Sequence, residues 1–472
     1  MTLTFIAIAC TAALVYNRLV PDRWRGWMLM GASIVAIYAL QPFTAIRQLD
    51  FVLPTFTLVL TIACWLFTRA AGPFAQDDYA ALLFTVVLVL AVSATRYLVP
   101  ELRLTSRPPE TPLVALALIL TAGGIVLLWR TPYLAHDRLS IAMLMLIALL
   151  VMIKYEPLTI GLSSVLRSWR GQDVTLAAST DWSWLGFSYV AFRLIHTLRD
   201  RQTGQLPPVS LREYVTYVIF FPAYTAGPID RAERFAIDYR ALPALTAARL
   251  TEGLGRIVVG IMKKFVLADT LALLSLDATR AAQVTSAGGL WLLLYVYAFR
   301  LFFDFSGYTD IAIGIGILYG VQLPENFDRP YLRNNIAAFW QSWHMTLSGW
   351  VRFYIFSPLS RWLLSKPKRP PLILILLIGH LTTMIVIGLW HGISGPFVLW
   401  GAWHGLGLFV HKVWSDRTRK AYLRLRQRPR LRQAWTVLGV ALTFHFVLLG
   451  WVWFALPDLE SALSVFRRLF GL

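Results

Sequence analysis

Long segments of apolar residues recur along this chain of 472 residues. A run of roughly 18–20 such residues crosses the ~30 Å hydrocarbon layer of a bilayer as one helix. A membrane-spanning β-barrel would instead show ~10-residue segments of alternating polarity, and the sequence has none. The pattern therefore predicts an all-α polytopic integral membrane protein with about 11–15 transmembrane or re-entrant helices, at roughly 20 residues each. The clearest apolar runs are 51–70, 81–94, 112–129, 141–153 and 371–390.

The residue composition of these apolar runs changes at about residue 156. Before it the runs are uniform, and after it Gly, Pro, Ser, Asp, Arg and His interrupt them, as in 298–320. Polar groups at membrane depth are tolerated only where protein or a water-filled cavity surrounds them. We therefore predict peripheral transmembrane helices over 1–155 and a functional core over 156–415. Over 416–472 we predict a basic cytoplasmic loop followed by a C-terminal transmembrane helix.

The formal net charge is +19, and 57% of the residues are hydrophobic. In a soluble protein such a charge would suggest a nucleic-acid partner. Here Lys and Arg cluster between the apolar runs, as at the cytoplasmic ends of spans, so no nucleic-acid partner is expected. Two apolar runs separate the basic segments 365–370 and 417–432, which places both segments in the cytoplasm and the turn at 391–396 deep in the membrane or toward its outer side. The 417–432 cluster also suits anionic lipid headgroups.

The sequence offers no pattern typical of a metal site. It has no HExxH motif, no cysteine ligands and no pair of histidines at i, i+4 with a nearby carboxylate. Cys10 and Cys64 lie in predicted spans and behave there as small apolar residues. The amino-terminal segment lacks a basic stretch before its apolar run, which predicts a first retained span rather than a cleaved signal.

Two histidines lie in or beside apolar runs, where a polar side chain is unfavourable. An ionisable group inside a span costs on the order of 2.5–3.5 kcal/mol on insertion scales, so it requires a partner or a function. His391 lies in GLWHGISGP, at a break between two helical runs, where Gly392 would let a substrate approach its ring. His344 lies in FWQSWHMTLSGW, with Gln341 and Ser348 at helical neighbour spacing. The steps of three and four residues beside it predict one apolar face of a helix, formed by Trp340, Trp343, Leu347 and Trp350. Position alone leaves a functional and a purely structural role open for both, and we interpret His404 as structural.

Asp304 and Asp310 lie in the apolar run 301–316. Two carboxylates six residues apart do not share a helix face well, which argues against an acid–base dyad. Because buried charges persist when they are paired, we expect their partners to be Arg300 or the arginines of 326–335. No P-loop or GxGxxG motif occurs, so a soluble nucleotide-binding domain is excluded.

Several strings resemble, in order, the core of the membrane-bound O-acyltransferase (MBOAT) family. They are FFPAYTAGPIDRAERF (220–235), FDFSGYTDIAIGIG (303–316), LPENFDRPYLRNNIAAFWQSWHMTLSGWVRFYIFSPL (323–359) and GLWHGISGPFVLWGAWHG (388–405). They look most like the bacterial branch that includes alginate O-acetyltransferases and the D-alanyl transferases of teichoic acid synthesis. The resemblance covers about residues 150–410. It departs from that branch at Phe353, where an acidic residue is common, so it does not choose between the two subgroups.

The resemblance implies a ring of helices around a central funnel, with an MBOAT catalytic core over 156–415. It implies that His391 and His344 are the family's signature pair. We predict that His391 is the general base that removes the hydroxyl proton, and that His344 positions the acceptor or hydrogen-bonds the donor carbonyl. The reverse assignment stays open, and the lack of a visible Ser–His–Asp arrangement favours direct transfer over an acyl-enzyme. The predicted substrate-binding residues are Trp340, Gln341, Trp343, Ser348, Asp304, Ser306, Asp310, Asn326, Arg329 and Trp390.

The predicted function is O-acyl transfer, with acetyl as the expected group, from a thioester donor to a hydroxyl of an envelope or secreted polysaccharide. The donor, acetyl-CoA or an acyl carrier, is a substrate, and no tightly bound cofactor is expected. Expected partners are membrane lipid, the polysaccharide acceptor, and an acyl-carrier protein or a periplasmic acyltransferase. The expected location is the bacterial plasma (inner) membrane. Two alternatives stay open: D-alanyl transfer from a carrier protein to a teichoic-acid-like polymer and, in a different class, a transporter or flippase.

Overall fold

The computed structural model describes residues 2–70, 72–99, 101, 104–134, 137–425 and 427–472. These residues form helices, with one isolated bridge between Phe327 and Trp343 and no strand. They divide into two compact units, one of residues 1–257 and 311–324 and the other of residues 258–310 and 325–472. The predicted all-α polytopic class is confirmed. The predicted division at 155 and 415 and the ring around a funnel stay predictions.

The first unit holds the amino-terminal helices. In chain order they are α1 (Leu3–Leu19), α2 (Asp22–Leu40), α3 (Leu49–Thr68), α4 (Gln76–Leu98), α5 (Thr111–Arg130), α6 (Arg138–Lys154), α7 (Glu156–Trp169), α8 (Phe187–Gln202), α9 (Leu211–Ile219), α10 (Ala232–Ala241) and α11 (Ala247–Ile261), whose last turn enters the second unit.

The remaining helices belong mainly to the second unit. They are α12 (Asp269–Ala272), α13 (Ala278–Gln283), α14 (Ala287–Leu318), α15 (Ile336–Trp340), α16 (Met345–Val351), α17 (Ser357–Leu364), α18 (Leu372–His391), α19 (Gly395–Leu425), α20 (Pro429–Ala455) and α21 (Leu459–Leu469), with π-helical turns over Met262–Ala268 and Arg352–Phe356. The end of α14, from residue 311, belongs to the first unit.

Six of the described helices are long and apolar enough to cross a membrane. They are α3, α4, α5, α14, α18 and α20; α6 and α7, bent by 90° at their junction, make a seventh if they are one span. This count is below the predicted 11–15 spans and re-entrant helices, because helices such as α15 and α16 are short and others carry many charges. The number of spans therefore stays a prediction.

Threonine side chains satisfy backbone carbonyls inside α3, which contains Pro54. The hydroxyls of Thr57, Thr61 and Thr68 each donate to the carbonyl four residues earlier, at 3.1, 2.7 and 2.8 Å. In a bilayer these groups have no water to bond, so such internal bonds make the polar side chains tolerable.

Two predicted local features differ in the structure. The basic segment predicted as a loop is mostly helical, because α19 continues to Leu425 and α20 begins at Pro429. Most of the interrupted-looking run 298–320 lies in α14, which is continuous to Leu318. Its glycines serve close packing: a Cβ on Gly307 would lie 2.8 Å from the Gly260 carbonyl oxygen and from the Lys264 nitrogen. Gly307 therefore marks a helix crossing.

Candidate active site

All twelve predicted site residues lie in the second unit. Its central feature is a short antiparallel contact between two segments of irregular backbone. The Asp328 amide donates to the Ser342 carbonyl and the Met345 amide to the Asn326 carbonyl, both at 3.0 Å, on either side of the Phe327–Trp343 bridge. This pairing fixes the backbone immediately before and after His344.

His344 has a left-handed backbone, with φ 43° and ψ 54°. The sequence spacing predicted one helix through Trp340, Trp343 and Leu347, and this prediction is wrong. Helix α15 ends at Trp340 and α16 begins at Met345, with His344 as the N-cap between them. Left-handed backbone is uncommon for residues other than glycine, but histidine is among those that adopt it. Strain of this kind persists where surrounding contacts hold it, and it is enriched at active sites.

The two ring nitrogens of His344 have different surroundings. Nδ1 accepts a hydrogen bond from the Leu347 amide at 3.4 Å, capping α16. Nε2 is buried and has no hydrogen-bond partner among the described residues. The residue is 3% exposed, and burial lowers the pKa of its imidazole to about 3. A neutral ring whose Nδ1 accepts a bond carries its proton on Nε2, so His344 presents an N–H donor.

Asn326 supports the backbone beside His344. Its side chain is fully buried, and its Oδ1 accepts from the Thr346 amide at 3.1 Å and from the Thr346 hydroxyl at 2.6 Å. The predicted substrate-binding role of Asn326 stays a prediction, while its bonds give it a positioning role. Arg329 has φ 45°, and its side chain is exposed.

His391 ends α18, at the predicted helix break, and α19 begins at Gly395. Its ring contacts a cluster of aromatic rings. The centroid distances are 4.5 Å to Trp390, 4.8 Å to Phe454, 5.6 Å to Trp400 and 6.1 Å to Phe397. The Phe397 ring fills the space beside Gly392, because a Cβ on Gly392 would lie 2.6 Å from that ring. Gly392 therefore makes room for the Phe397 ring. The sequence had suggested that it makes room for a substrate.

Trp390 brings the two predicted catalytic histidines together. Its ring centroid lies 4.5 Å from that of His391 and 6.2 Å from that of His344, edge-on in both cases. Helix α14 reaches the same place, since Phe305 lies edge-on to His344 at 4.6 Å. The next residue, Ser306, is 3% exposed, and its hydroxyl has no partner among the described residues. Phe305, Trp390 and the two histidines form a site in which two imidazoles share one indole.

The carboxylates of α14 have partners that the sequence reasoning missed. Lys263 donates to Asp310 at 2.6 Å, and Lys264 donates to Asp304. Both lysines lie in the π-helical turn Met262–Ala268, which the close crossing at Gly307 brings against α14. The expected pairing with Arg300 or the arginines of 326–335 is therefore replaced by these lysine pairs. Asp310 is 7% exposed, while the Asp304 side chain is 49% exposed.

Of the remaining predicted residues, Trp340 and Trp343 are buried, Ser348 is half-buried and Gln341 is exposed. Trp343 is 5% exposed and contacts Phe339 and Trp451, which makes it a packing residue. The Ser348 hydroxyl donates to the Trp343 carbonyl at 3.2 Å. Trp340, at 7% exposed, lies edge-on to the ring of His404.

His404 was interpreted as structural, and the structure raises its importance. It is fully buried, and neither ring nitrogen has a hydrogen-bond partner among the described residues. Its ring lies 4.9 Å from that of Trp400, which also contacts His391. A Cβ on Gly450 would lie 2.8 Å from its Nε2, so this glycine makes room for the ring. The repeated Trp-His-Gly of 390–392 and 403–405 was the sequence signal for this residue.

One group of metal-ligand side chains lies in the first unit. His196, Asp200 and Glu233 place one ligand atom each within 4.8 Å of one another. Arg231 lies 3.6 Å from Glu233, and its charge together with burial lowers the pKa of His196 to about 3, burial being the larger cause. An arginine beside these groups opposes a cation, so we interpret the group as a buried polar network. The expected absence of a metal stays a prediction.

Comparison with known proteins decides the family. The sequence pattern of MBOAT, the membrane-bound O-acyltransferase family, matches residues 137–453. The chain belongs to this family. The predicted resemblance is thus confirmed, and so is the enzyme class of O-acyltransferase. The predicted multi-pass membrane nature agrees with the family and with the apolar helices.

Curated relatives come from several bacteria. The chain is 32% identical over 318 residues to the teichoic acid D-alanyltransferase of Streptococcus thermophilus, an alignment that covers 65% of this chain and 72% of the relative. It is 34% identical over 290 residues to a probable alginate O-acetylase of Pseudomonas aeruginosa, covering 61% and 51%. It is 36% identical over 266 residues to the peptidoglycan O-acetyltransferase of Helicobacter pylori, covering 55% and 47%. The chain thus spans only about half the length of the last two relatives.

Proposed function

We propose that this MBOAT protein transfers an acyl group, with acetyl as the expected one, from a thioester to a hydroxyl of an envelope or secreted polysaccharide. The observation that carries the proposal is the pair of histidines, His344 and His391, on one indole in a single unit. Acetyl-CoA or an acyl carrier supplies the thioester as a substrate. The protein acts in the bacterial plasma membrane, among lipid and with an acyl-carrier protein or periplasmic acyltransferase as a further partner.

The surroundings of His344 support a donor role. Its Nδ1 is engaged by the Leu347 amide, which leaves the proton of the neutral ring on Nε2. An N–H in a dry site stabilises the negative charge that develops on a carbonyl oxygen under attack. A base would need a free lone pair at Nε2, which this tautomer lacks. The Nε2–H of His344 therefore binds the thioester carbonyl oxygen or the acceptor.

His391 then serves as the general base. It removes the proton of the acceptor hydroxyl as the hydroxyl oxygen attacks the thioester carbonyl carbon. The new C–O bond forms, the C–S bond breaks, and the proton passes from the imidazolium to the departing thiolate. The acyl group goes directly from donor to acceptor, and no covalent acyl-enzyme is required.

A second candidate is D-alanyl transfer from a carrier protein to a teichoic-acid-like polymer. The observation in its favour is coverage, because the aligned region spans 72% of the Streptococcus thermophilus D-alanyltransferase. The same two histidines would perform the same steps, with D-alanine as the acyl group. The transporter or flippase alternative loses its basis, since the chain belongs to an acyltransferase family.

The deciding experiment identifies the acid that the protein attaches. The native host lacking the gene is complemented with wild type, His344→Ala, His391→Ala or the control His445→Ala. His445 is exposed on α20 and bonds Tyr295, so it contacts neither site histidine. Mild base then releases ester-linked acids from envelope and secreted glycans. Acetate that requires His391 but not His445 supports the first proposal, and D-alanine supports the second. No difference in any acyl ester at equal protein level overturns both.

A further inference from the structure

A cavity of about 280 Å³ opens in the first unit, and arginines dominate its lining. Four guanidinium-bearing residues line it, together with the apolar side chains of Leu66 and Trp129. The four are Arg69, Arg130, Arg138 and Arg201. Its location in the first unit sets it apart from the histidine site, so an inference from it does not depend on the proposed function.

The arginines come from the ends of four helices. Arg69 follows α3, Arg130 ends α5, Arg138 begins α6, and Arg201 lies in the last turn of α8. Arg69 is held by bonds to the carbonyls of Gly72 and Pro73, both at 2.8 Å, and lies over the Phe74 ring at 4.1 Å. The fold thus brings cations from four helix ends to one opening.

No carboxylate lines the cavity, and none of the four arginines has an acidic partner within the described ranges. Other arginines of the same unit are neutralised. Arg167, for example, bonds Asp181 at 2.8 Å, and Arg240 bonds Glu213 at 2.6 Å. Like charges that converge without counter-charges repel one another, and a bound anion offsets that repulsion. The cavity therefore has the charge of an anion site.

The cavity lies at the ends of membrane helices. Both α3 and α5 are candidate spans, and only 6% of the apolar window of α5 is buried within the protein. The exposed side of α5 therefore faces acyl chains, and Trp129 at its end suits the interface with water. The four arginines lie at the helix ends of this side, where long basic side chains reach the headgroup layer. A ligand here has its charge at headgroup depth and hydrocarbon beside it.

We infer that this arginine cavity binds the phosphate of an anionic phospholipid headgroup, with the acyl chains along the exposed side of α5. Planar guanidinium groups bind phosphate oxygens in pairs, which makes arginine suited to this ligand. Basic pockets between transmembrane helices on the cytoplasmic side take anionic headgroups for this reason. A water-soluble phosphate shares the chemistry, and the test separates the two sources.

The test measures phosphatidylglycerol retention by the full chain in detergent, using native mass spectrometry with phosphatidylcholine as the neutral competitor. Wild type should retain phosphatidylglycerol selectively. Arg130→Gln/Arg138→Gln should weaken its affinity roughly 30-fold, since each basic residue contributes about 1 kcal/mol, or about fivefold. The matched control is Arg47→Gln/Arg170→Gln, which removes the same charge. Arg47 precedes α3, at the opposite end of that helix from Arg69, and the control should bind as wild type does.

The charge-conserving variant Arg130→Lys/Arg138→Lys covers the case in which the glutamine variant does not fold. It should bind more weakly than wild type by severalfold, because lysine lacks the paired donors. Three results would overturn the inference: equal retention of the two lipids, a glutamine or lysine variant that binds as wild type does, or displacement of the lipid by inorganic phosphate at millimolar concentration. The last would assign the cavity to a free phosphate.

Discussion

His344 and His391 contact the same indole, although they are far apart in the chain. The Trp390 ring centroid lies 6.2 Å from that of His344 and 4.5 Å from that of His391. His344 is held from its own backbone, by the pairing of 326–328 with 342–345. His391 is held at the end of α18 by the surrounding rings of Phe397, Trp400 and Phe454. Trp390 therefore sets the spacing between the proposed donor, His344, and the proposed base, His391, which separate sets of contacts hold in place.

Trp390→Ala should lower the acyl-transfer rate by at least about tenfold, because displacement of a reacting group by 1 Å can cost about 100-fold. Trp390→Phe should lose less, since it keeps a ring between the two imidazoles. The measurement is the initial transfer rate per amount of folded protein, judged by size-exclusion chromatography. Trp362→Ala is the matched control, because Trp362 is 55% exposed in the same unit. A Trp390→Ala protein that works at the wild-type rate would contradict the spacing role.

The proposed donor role of His344 can be tested by substitution. His344→Ala should reduce kcat by about 10²–10³, the usual effect of removing one donor to a developing oxyanion. His344→Asn should retain more activity, because asparagine keeps an N–H donor and tolerates left-handed backbone. At position 391, Asn and Ala should lose activity equally, by about 10²–10⁴, because neither side chain is a base.

The pH–rate profiles of these variants distinguish the two assignments. With His391 as the base, the acidic limb of the wild-type profile belongs to His391 and should persist in His344→Asn. Loss of that limb in His344→Asn, with residual activity independent of pH, would reverse the roles of the two histidines.

Sequence patterns predicted the elements whose cause is local. The apolar runs became α3 to α6 and α18 because run length and composition alone decide whether a helix suits a bilayer. The break at His391 was likewise visible in its glycines and Pro396.

The backbone of His344 could not be predicted in this way. The spacing of Trp340, Trp343 and Leu347 fits one helix, and only the pairing with 326–328 divides it at His344. The partners of Asp304 and Asp310 were missed for a related reason. Lys263 and Lys264 reach them through the crossing at Gly307, which no local pattern of charges reveals.

Burial of His344 has a consequence for stability as a function of pH. Because burial lowers its folded-state pKa from the ordinary 6.5 to about 3, the unfolded chain binds a proton between these values that the folded chain does not. The contribution of His344 is therefore fully present above about pH 6.5 and is lost as the pH falls toward 3. The slope approaches about 1.4 kcal/mol per pH unit.

Thermal or denaturant unfolding of purified wild type and His344→Asn between pH 7.5 and pH 5 measures this contribution. The free energy of unfolding of the wild type should fall more steeply toward pH 5, with a difference between the proteins of up to about 2 kcal/mol. His445→Asn serves as the control at an exposed histidine and should follow the wild type. Parallel curves for wild type and His344→Asn would show that His344 titrates normally in the folded protein.

The two lysine–aspartate pairs of α14 should differ in their energetic importance. Asp310 is nearly buried, with its side chain 9% exposed, and it bonds Lys263, whereas the Asp304 side chain is 49% exposed. Removal of one partner from a buried pair leaves an uncompensated charge and costs about 3–5 kcal/mol, while an exposed pair contributes about 0–1 kcal/mol. Asp310→Asn should therefore destabilise the protein by several times as much as Asp304→Asn. The two substitutions are chemically identical and lie on the same helix, so the difference in unfolding free energy reports the different surroundings of the two carboxylates. Equal losses would mean that both carboxylates are solvated, and that the crossing at Gly307 is looser than its 2.8 Å contacts indicate.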